Sequence, residues 1–165
     1  MNATPPTSTQ AIEEALKQAY VFSQADAAQI SLVAGIAEWI SLPPQSPVVR
    51  EGDVCHSLYV LANGRLVVKE AVTKDSELII ARIAQGDVVG ELGFLTHQTA
   101  SATVRADTQS DLVRLGYDQL RALFNQNPDL DLKFHKELVN TLAERVRKSN
   151  QAFRNAVLSG AMGRV

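Results

Sequence analysis

From Ala37 to Leu115 the chain runs as short apolar, β-rich stretches broken by turn residues every 8 to 12 positions or so. No other feature constrains the fold as strongly, because strands this short and this regularly punctuated pack as a barrel or sandwich. The interruptions are Pro43-Pro44, Glu51-Gly52-Asp53, Asn63-Gly64 and Gln85-Gly86-Asp87, each between apolar stretches. Asn63-Gly64 separates SLYVLA from RLVVKE. A type I′ turn needs two residues that tolerate positive φ, so this dipeptide predicts a hairpin of two well-paired strands.

Helical signals flank the β region. In AIEEALKQAYVF, residues 11–22, Ile12, Leu16 and Ala19 share one side at helical spacing, and Ser23 reads as the N-cap of a second helix through Ile30. After Gly116, YDQLRALFNQ reads as a short helix that ends before Asn127-Pro128, and Pro128 opens the next helix at its first turn. The organisation expected is a loose tail over 1–10 and a β-roll with N-terminal helices and a short post-barrel helix over 11–127. A long C-terminal hinge and dimerisation helix over 128–158 and a tail over 159–165 complete it. The fold class is mainly β with flanking helices, a β-roll or jelly-roll barrel.

The last helix carries Val139, Leu142, Val146, Phe153 and Ala156 with Ser149 in register, an a/d seam of about two and a half heptads. A homodimer through this seam is expected; the competing outcome is a stripe packed on the chain's own barrel.

With 45% hydrophobic and 21% charged residues, the chain can bury a core. Its formal net charge of -2 lacks the basic excess of a protein that coats nucleic acid. One cysteine, Cys55, cannot form an internal disulfide. No apolar run approaches the ~18 residues of a membrane span, and MNATPPTSTQ has no signal-peptide pattern, so a cytoplasmic protein without membrane contact is expected.

Catalytic motifs are missing: the chain has no GxSxG elbow, GxGxxG or Walker loop, or HExxH. Asp53, Cys55 and His56 lie close together but fall short of the four ligands of a structural metal site, and a polar turn accounts for them. His97 and His135 read as exposed loop and helix-face residues. The expectation is a non-enzyme with no metal and no cofactor.

The informative segment is Gly90-Glu91-Leu92-Gly93-Phe94-Leu95, followed by Ser101-Ala102-Thr103-Val104-Arg105-Ala106. A glycine leading into a short helical turn inside a β region aims backbone N–H groups outward, as phosphate cradles do, and Ser101 adds a hydroxyl. Spacing alone leaves a plain structural turn equally open. The stretch from Arg50 to Asn150 resembles the cyclic nucleotide-binding domain family, and within it the sensor half of catabolite activator-type regulators. The resemblance rests on REGD at 50–53, Asn63-Gly64, QGDVVGELGFL at 85–95 and SATVRA at 101–106.

That resemblance implies a β-roll with a phosphate-binding cassette and a hinged, dimerising C-terminal helix. It implies that Glu91 accepts a hydrogen bond from a ribose 2′-hydroxyl, that Gly90 and Leu92 are cassette backbone positions, and that Ser101 sits beside a cyclic phosphate. Ser149 and Asn150 match polar positions that contact the base. The sequence departs from the family where a proline and a phosphate-pairing arginine are usual, since it reads Thr99-Ala100. Losing one partner of a buried charge pair costs about 2 to 5 kcal/mol, and each 1.4 kcal/mol is about tenfold in affinity. Arg82, Arg105 and the run Arg145, Arg147, Lys148 are the candidate compensating cations.

Three functions follow from the resemblance: a stand-alone sensor that binds cyclic AMP or cyclic GMP weakly or with an altered phosphate contact and signals to an effector protein through its long C-terminal helix, a degenerate ligand-free interaction or dimerisation domain, or a sensor of another phosphate ligand such as a cyclic dinucleotide. The activator group places a helix-turn-helix after the long helix. This sequence ends about eight residues beyond that helix, so no direct DNA binding is expected.

Overall fold

The computed structural model describes residues 9–74 and 76–162. Its first elements are α1 (Thr9–Gln18), a 3₁₀ turn (Tyr20–Phe22) and α2 (Ala27–Ala34). Strands β1 (Ala37–Leu42), β2 (Pro47–Val49), β3 (Ser57–Asn63), β4 (Leu66–Thr73), β5 (Ser76–Ile83) and β6 (Val88–Val89) follow. The chain then forms α3 (Glu91–Thr96), β7 (Thr103–Ala106), β8 (Ser110–Gly116), α4 (Tyr117–Gln126) and α5 (Pro128–Met162). The strands make two antiparallel four-stranded sheets, ordered β1-β8-β3-β6 and β2-β7-β4-β5, the expected jelly roll with flanking helices.

The sheet containing β3 and β8 is covered on both faces, which explains why SLYVLA is nearly continuously apolar instead of alternating. Leu58 and Val60 of β3, with Val113 and Leu115 of β8, pack against the helices around Leu16, Phe22, Ile30, Leu120 and Phe134. The opposite face supplies Leu61 and Leu112 to a smaller core between the sheets, where Leu66, Val89 and Val104 meet them. One helix-side core and one inter-sheet core thus share the central strands.

Several local expectations are corrected. β3 and β4 do not pair: β3 lies beside β8 and β6, whereas β4 lies between β5 and β7. Asn63-Gly64 therefore turns a corner between sheets. Gly64 still needs its positive φ of 93°, and a Cβ there would lie 2.5 Å from the Gln109 carbonyl oxygen. The corner is held by the neighbouring turn, with Arg65 N–H donating to Thr108 Oγ1 and Asp107 N–H to the Arg65 carbonyl. Long-range packing chose the turn's partner, which a dipeptide signal does not encode.

The cap of α2 is Asp26, not Ser23. Asp26 accepts from the Gln29 N–H at 2.8 Å while the Gln29 side chain accepts from the Asp26 N–H, a reciprocal box unavailable to Ser23, which ends the 3₁₀ turn. Helix α1 already includes Thr9 and Gln10, which the sequence had placed in a loose tail; residues 1–8 of that tail lie outside the described residues.

α4 ends at Gln126, and Asn127, with ψ 72°, breaks the helix before Pro128 as the clash of a proline with the preceding residue requires. α5 is longer than expected, continuing past 158 to Met162 because Gly160, in open space, does not stop it; residues 163–165 lie outside the described residues. Its 35 residues span about 52 Å at ~1.5 Å each. Leu130, Phe134 and Leu138 are fully buried, and Leu142 packs at the core's margin. Beyond that point no residue of the helix through Gly160 is fully buried. No described helix is long and apolar enough to cross a membrane.

Candidate functional site

The site begins where β6 turns into α3. Gly90 holds φ 91°, and a Cβ there would lie 2.6 Å from the Ser57 carbonyl oxygen, so the turn passes β3 too closely for any side chain. The Tyr117 hydroxyl donates to the Gly90 carbonyl. Burial pushes the Tyr117 pKa well above its ordinary value, so the hydroxyl keeps its proton and the donor persists. Arg121 donates to the Phe94 carbonyl at 3.2 Å and lies 5.0 Å from the Phe94 ring centroid. Two residues of α4 thereby grip α3 from outside.

The far end of the cassette is fixed by backbone. The Ala100 N–H donates to the Asp53 carbonyl at 2.9 Å, and its carbonyl accepts from the Gly52 N–H at 2.8 Å. The REGD turn thus serves as a bracket for the segment that lacks the arginine.

Between the cassette and α5 lies a cavity of about 670 Å³, within the roughly 300–1,000 Å³ range of small-molecule sites. Gly90, Glu91, Leu92, Ala100 and Ser101 all line it. From α5 come Thr141, Glu144, Arg145, Lys148, Ser149 and Ala152, one stripe at 3- and 4-residue spacing. Asn150 lies off that stripe and outside the cavity, so the expected base-contacting pair is split and only Ser149 faces inward.

Glu91 is a buried carboxylate, 7% exposed. Its partner is Arg145, which also donates to the Tyr20 hydroxyl at 3.2 Å and the Val88 carbonyl at 3.4 Å. Burial alone would lower the Arg145 pKa, but the negative charge of Glu91, reinforced by Tyr20 and Asp87, leaves it raised, so the guanidinium is charged. Burial in turn pushes the Tyr20 hydroxyl up, with Arg145 opposing. Cys55, on the cavity wall, is raised by burial and by the nearby Asp53 and Glu91, which keeps it a thiol.

The other candidate cations sit differently. Arg82 reaches the cavity wall but is 66% exposed and leans to Asp107 at 3.9 Å. Arg105 is not on the wall; it donates to the Gln45 carbonyl at 3.4 Å, and its Nε is buried without a partner. Arg147 pairs with Glu144.

Of the two histidines, His97 lies exposed in the turn after α3 as expected, whereas His135 is half-buried instead of exposed on the helix face. His97 caps α3 at φ 57° and meets Arg121 through Nδ1 at 3.3 Å. His135 packs edge-on to Phe124 and Phe134 and pairs with Asp131 at 2.6 Å. No group of three or more His, Cys, Asp or Glu gathers to hold a metal among the described residues. Tyr20, Tyr117 and Arg121 carried no local signal, because each reaches the site from an element distant in sequence.

The sequence model described as Cyclic nucleotide-binding domain matches residues 39–127. The cAMP-activated global transcriptional regulator CRP of Salmonella typhimurium is 29% identical over 124 residues, covering 74% of this chain and 57% of that protein. The chain thus spans little more than half the length of such curated relatives. A cyclic nucleotide-binding domain from Methylobacillus flagellatus superposes with a TM-score of 0.76 at 22% identity, covering 87% of this chain and 81% of that one. The regulatory domain of Toxoplasma gondii PKA, solved with cAMP, has a TM-score of 0.63 at 24% identity, covering 74% and 47% respectively.

Proposed function

Because this chain belongs to the cyclic nucleotide-binding domain family, we propose that it is a regulatory sensor module that binds cyclic AMP or cyclic GMP between its cassette and α5 and signals to an effector protein through that helix. One observation carries the reading: a buried carboxylate, Glu91, faces a ligand-sized cavity and is held by Arg145 of α5. A ribose hydroxyl that donates to Glu91 competes with Arg145, so ligand affinity and helix position are coupled. The role is binding, not catalysis.

Isothermal titration with each nucleotide up to millimolar concentration tests this. Saturable binding is expected, and Glu91→Ala weakens it by about tenfold to a hundredfold, the worth of a hydrogen bond to a charged group. Unchanged affinity in Glu91→Ala would dissociate the ligand from this cavity. Silence of the unmodified protein toward both nucleotides would favour the second reading, a ligand-free dimerisation domain, for which Ala100 in the arginine's place speaks.

The module is proposed to act as a homodimer. Val139, Val146 and Phe153, three positions of the a/d seam, are 61%, 58% and 72% exposed, so these three do not pack on the chain's own barrel, while Leu142 of the same seam meets the core's margin. The exposed seam positions lie beside the cavity-facing stripe of the same helix, with Ser149 at the border of the two, so a second α5 buries the former while leaving the latter to the ligand. Phe153→Glu is expected to convert a dimer into a monomer in sedimentation equilibrium; a dimer mass that survives the substitution would place the contact elsewhere.

A further inference from the structure

Six charged side chains line the cavity: Arg82, Asp87, Glu91, Glu144, Arg145 and Lys148. Five are engaged. Glu91 and Arg145 hold each other, Asp87 accepts from the Ala84 N–H at 3.0 Å, Arg82 leans out to Asp107, and Glu144 pairs with Arg147. Lys148 makes no hydrogen bond or ion pair among the described residues. Lys148 is therefore the one charged side chain of the wall left without a polar partner among the described residues, and it stands on α5, while on the cassette side of the same cavity Ala100 offers only a methyl group.

We propose that Lys148 supplies the phosphate-binding cation of this site, moving the anion contact from the cassette to the long helix. The inference rests on the cyclic nucleotide reading above and goes further in making the ligand a bridge: the ribose is held by the roll through Glu91 and the phosphate by α5 through Lys148. Occupancy then draws the helix toward the roll directly, one turn beyond the Arg145 contact that the ribose disturbs.

The test is titration of cyclic AMP into the full chain and its variants Lys148→Gln and Lys148→Arg, with thermal unfolding of each unliganded protein alongside. Lys148→Gln is expected to weaken binding by about tenfold to a hundredfold, as for loss of a charged hydrogen bond. Lys148→Arg, which keeps the charge, stays within about threefold. Unliganded Tm does not move, because Lys148 holds nothing in the empty site. In an Ala100→Arg background the cost of Lys148→Gln shrinks to less than about threefold, since the cassette then holds the phosphate itself.

Binding by the unmodified protein with unchanged affinity in Lys148→Gln would overturn this inference and leave the proposed function standing. A fall in unliganded Tm that accompanies the weakened binding would assign Lys148 a structural role and overturn it as well. Absence of binding by the unmodified protein would overturn the proposed function, and the Lys148 assignment with it.

Discussion

Placing arginine at position 100 is expected to tighten cyclic AMP binding by about thirtyfold, the lower end of the 2 to 5 kcal/mol that a charge pair of this kind is worth. The lower end applies because the cavity already holds one free cation, Lys148, on its opposite wall. Ala100 lines the cavity, and its backbone is bracketed on both sides by Gly52 and Asp53, so a longer side chain starts from a fixed point. Parallel titrations of the unmodified protein and Ala100→Arg measure the gain. An affinity ratio below about threefold would mean that no phosphate lies within reach of position 100, and the ligand pose carried by the family resemblance would be wrong.

Phe134→Ala is expected to have the largest effect on stability. Phe134 is fully buried and is the meeting point of four elements: its ring centroid lies 5.4 Å from Phe22 of the 3₁₀ turn, 5.8 Å from Phe94 of α3 and 4.9 Å from Phe124 of α4. Truncation leaves a cavity with no flexible neighbour to fill it, at a cost of about 3 to 5 kcal/mol. For a chain of this length that lowers Tm by on the order of 10 °C. Calorimetry checks it, with Phe134→Leu as the milder comparison; a Tm change under about 3 °C would show that the aromatic cluster repacks freely. The position also bears on signalling, since Phe94 of the cassette helix packs on Phe134 and His135 of α5.

Those two residues were unequally visible beforehand. Ala100 stood out in the sequence because a family pattern made its absent charge conspicuous. Phe134 did not, since one phenylalanine in an amphipathic helix says nothing about which other rings it will meet. The same division runs through the site. Glu91, Gly90 and Ser101 follow one another closely enough to be read as a motif, whereas Tyr20, Arg121 and Arg145 reach the cassette from elements far away along the chain. Among five basic candidates the sequence could name types but not directions: Arg82 and Arg105 turned to Asp107 and Gln45, Arg145 to Glu91 and Arg147 to Glu144.

Short-range chemistry was enough for the fold class. Turn dipeptides set where strands stop, the proline at 128 set where α5 begins, and the apolar run of β3 required a sheet covered on both faces. These are properties of a few adjacent residues, and the backbone obeys them wherever the segment is placed. Which strand lies beside which is different in kind. Asn63-Gly64 turns a corner instead of closing a hairpin because β3 gains β8 and β6 as neighbours, and that choice depends on burying both cores at once. Which cation of the cavity is left unpaired is likewise settled by pairing across the fold: among the described residues Lys148 is free because Arg145 turns to Glu91 and Arg82 to Asp107.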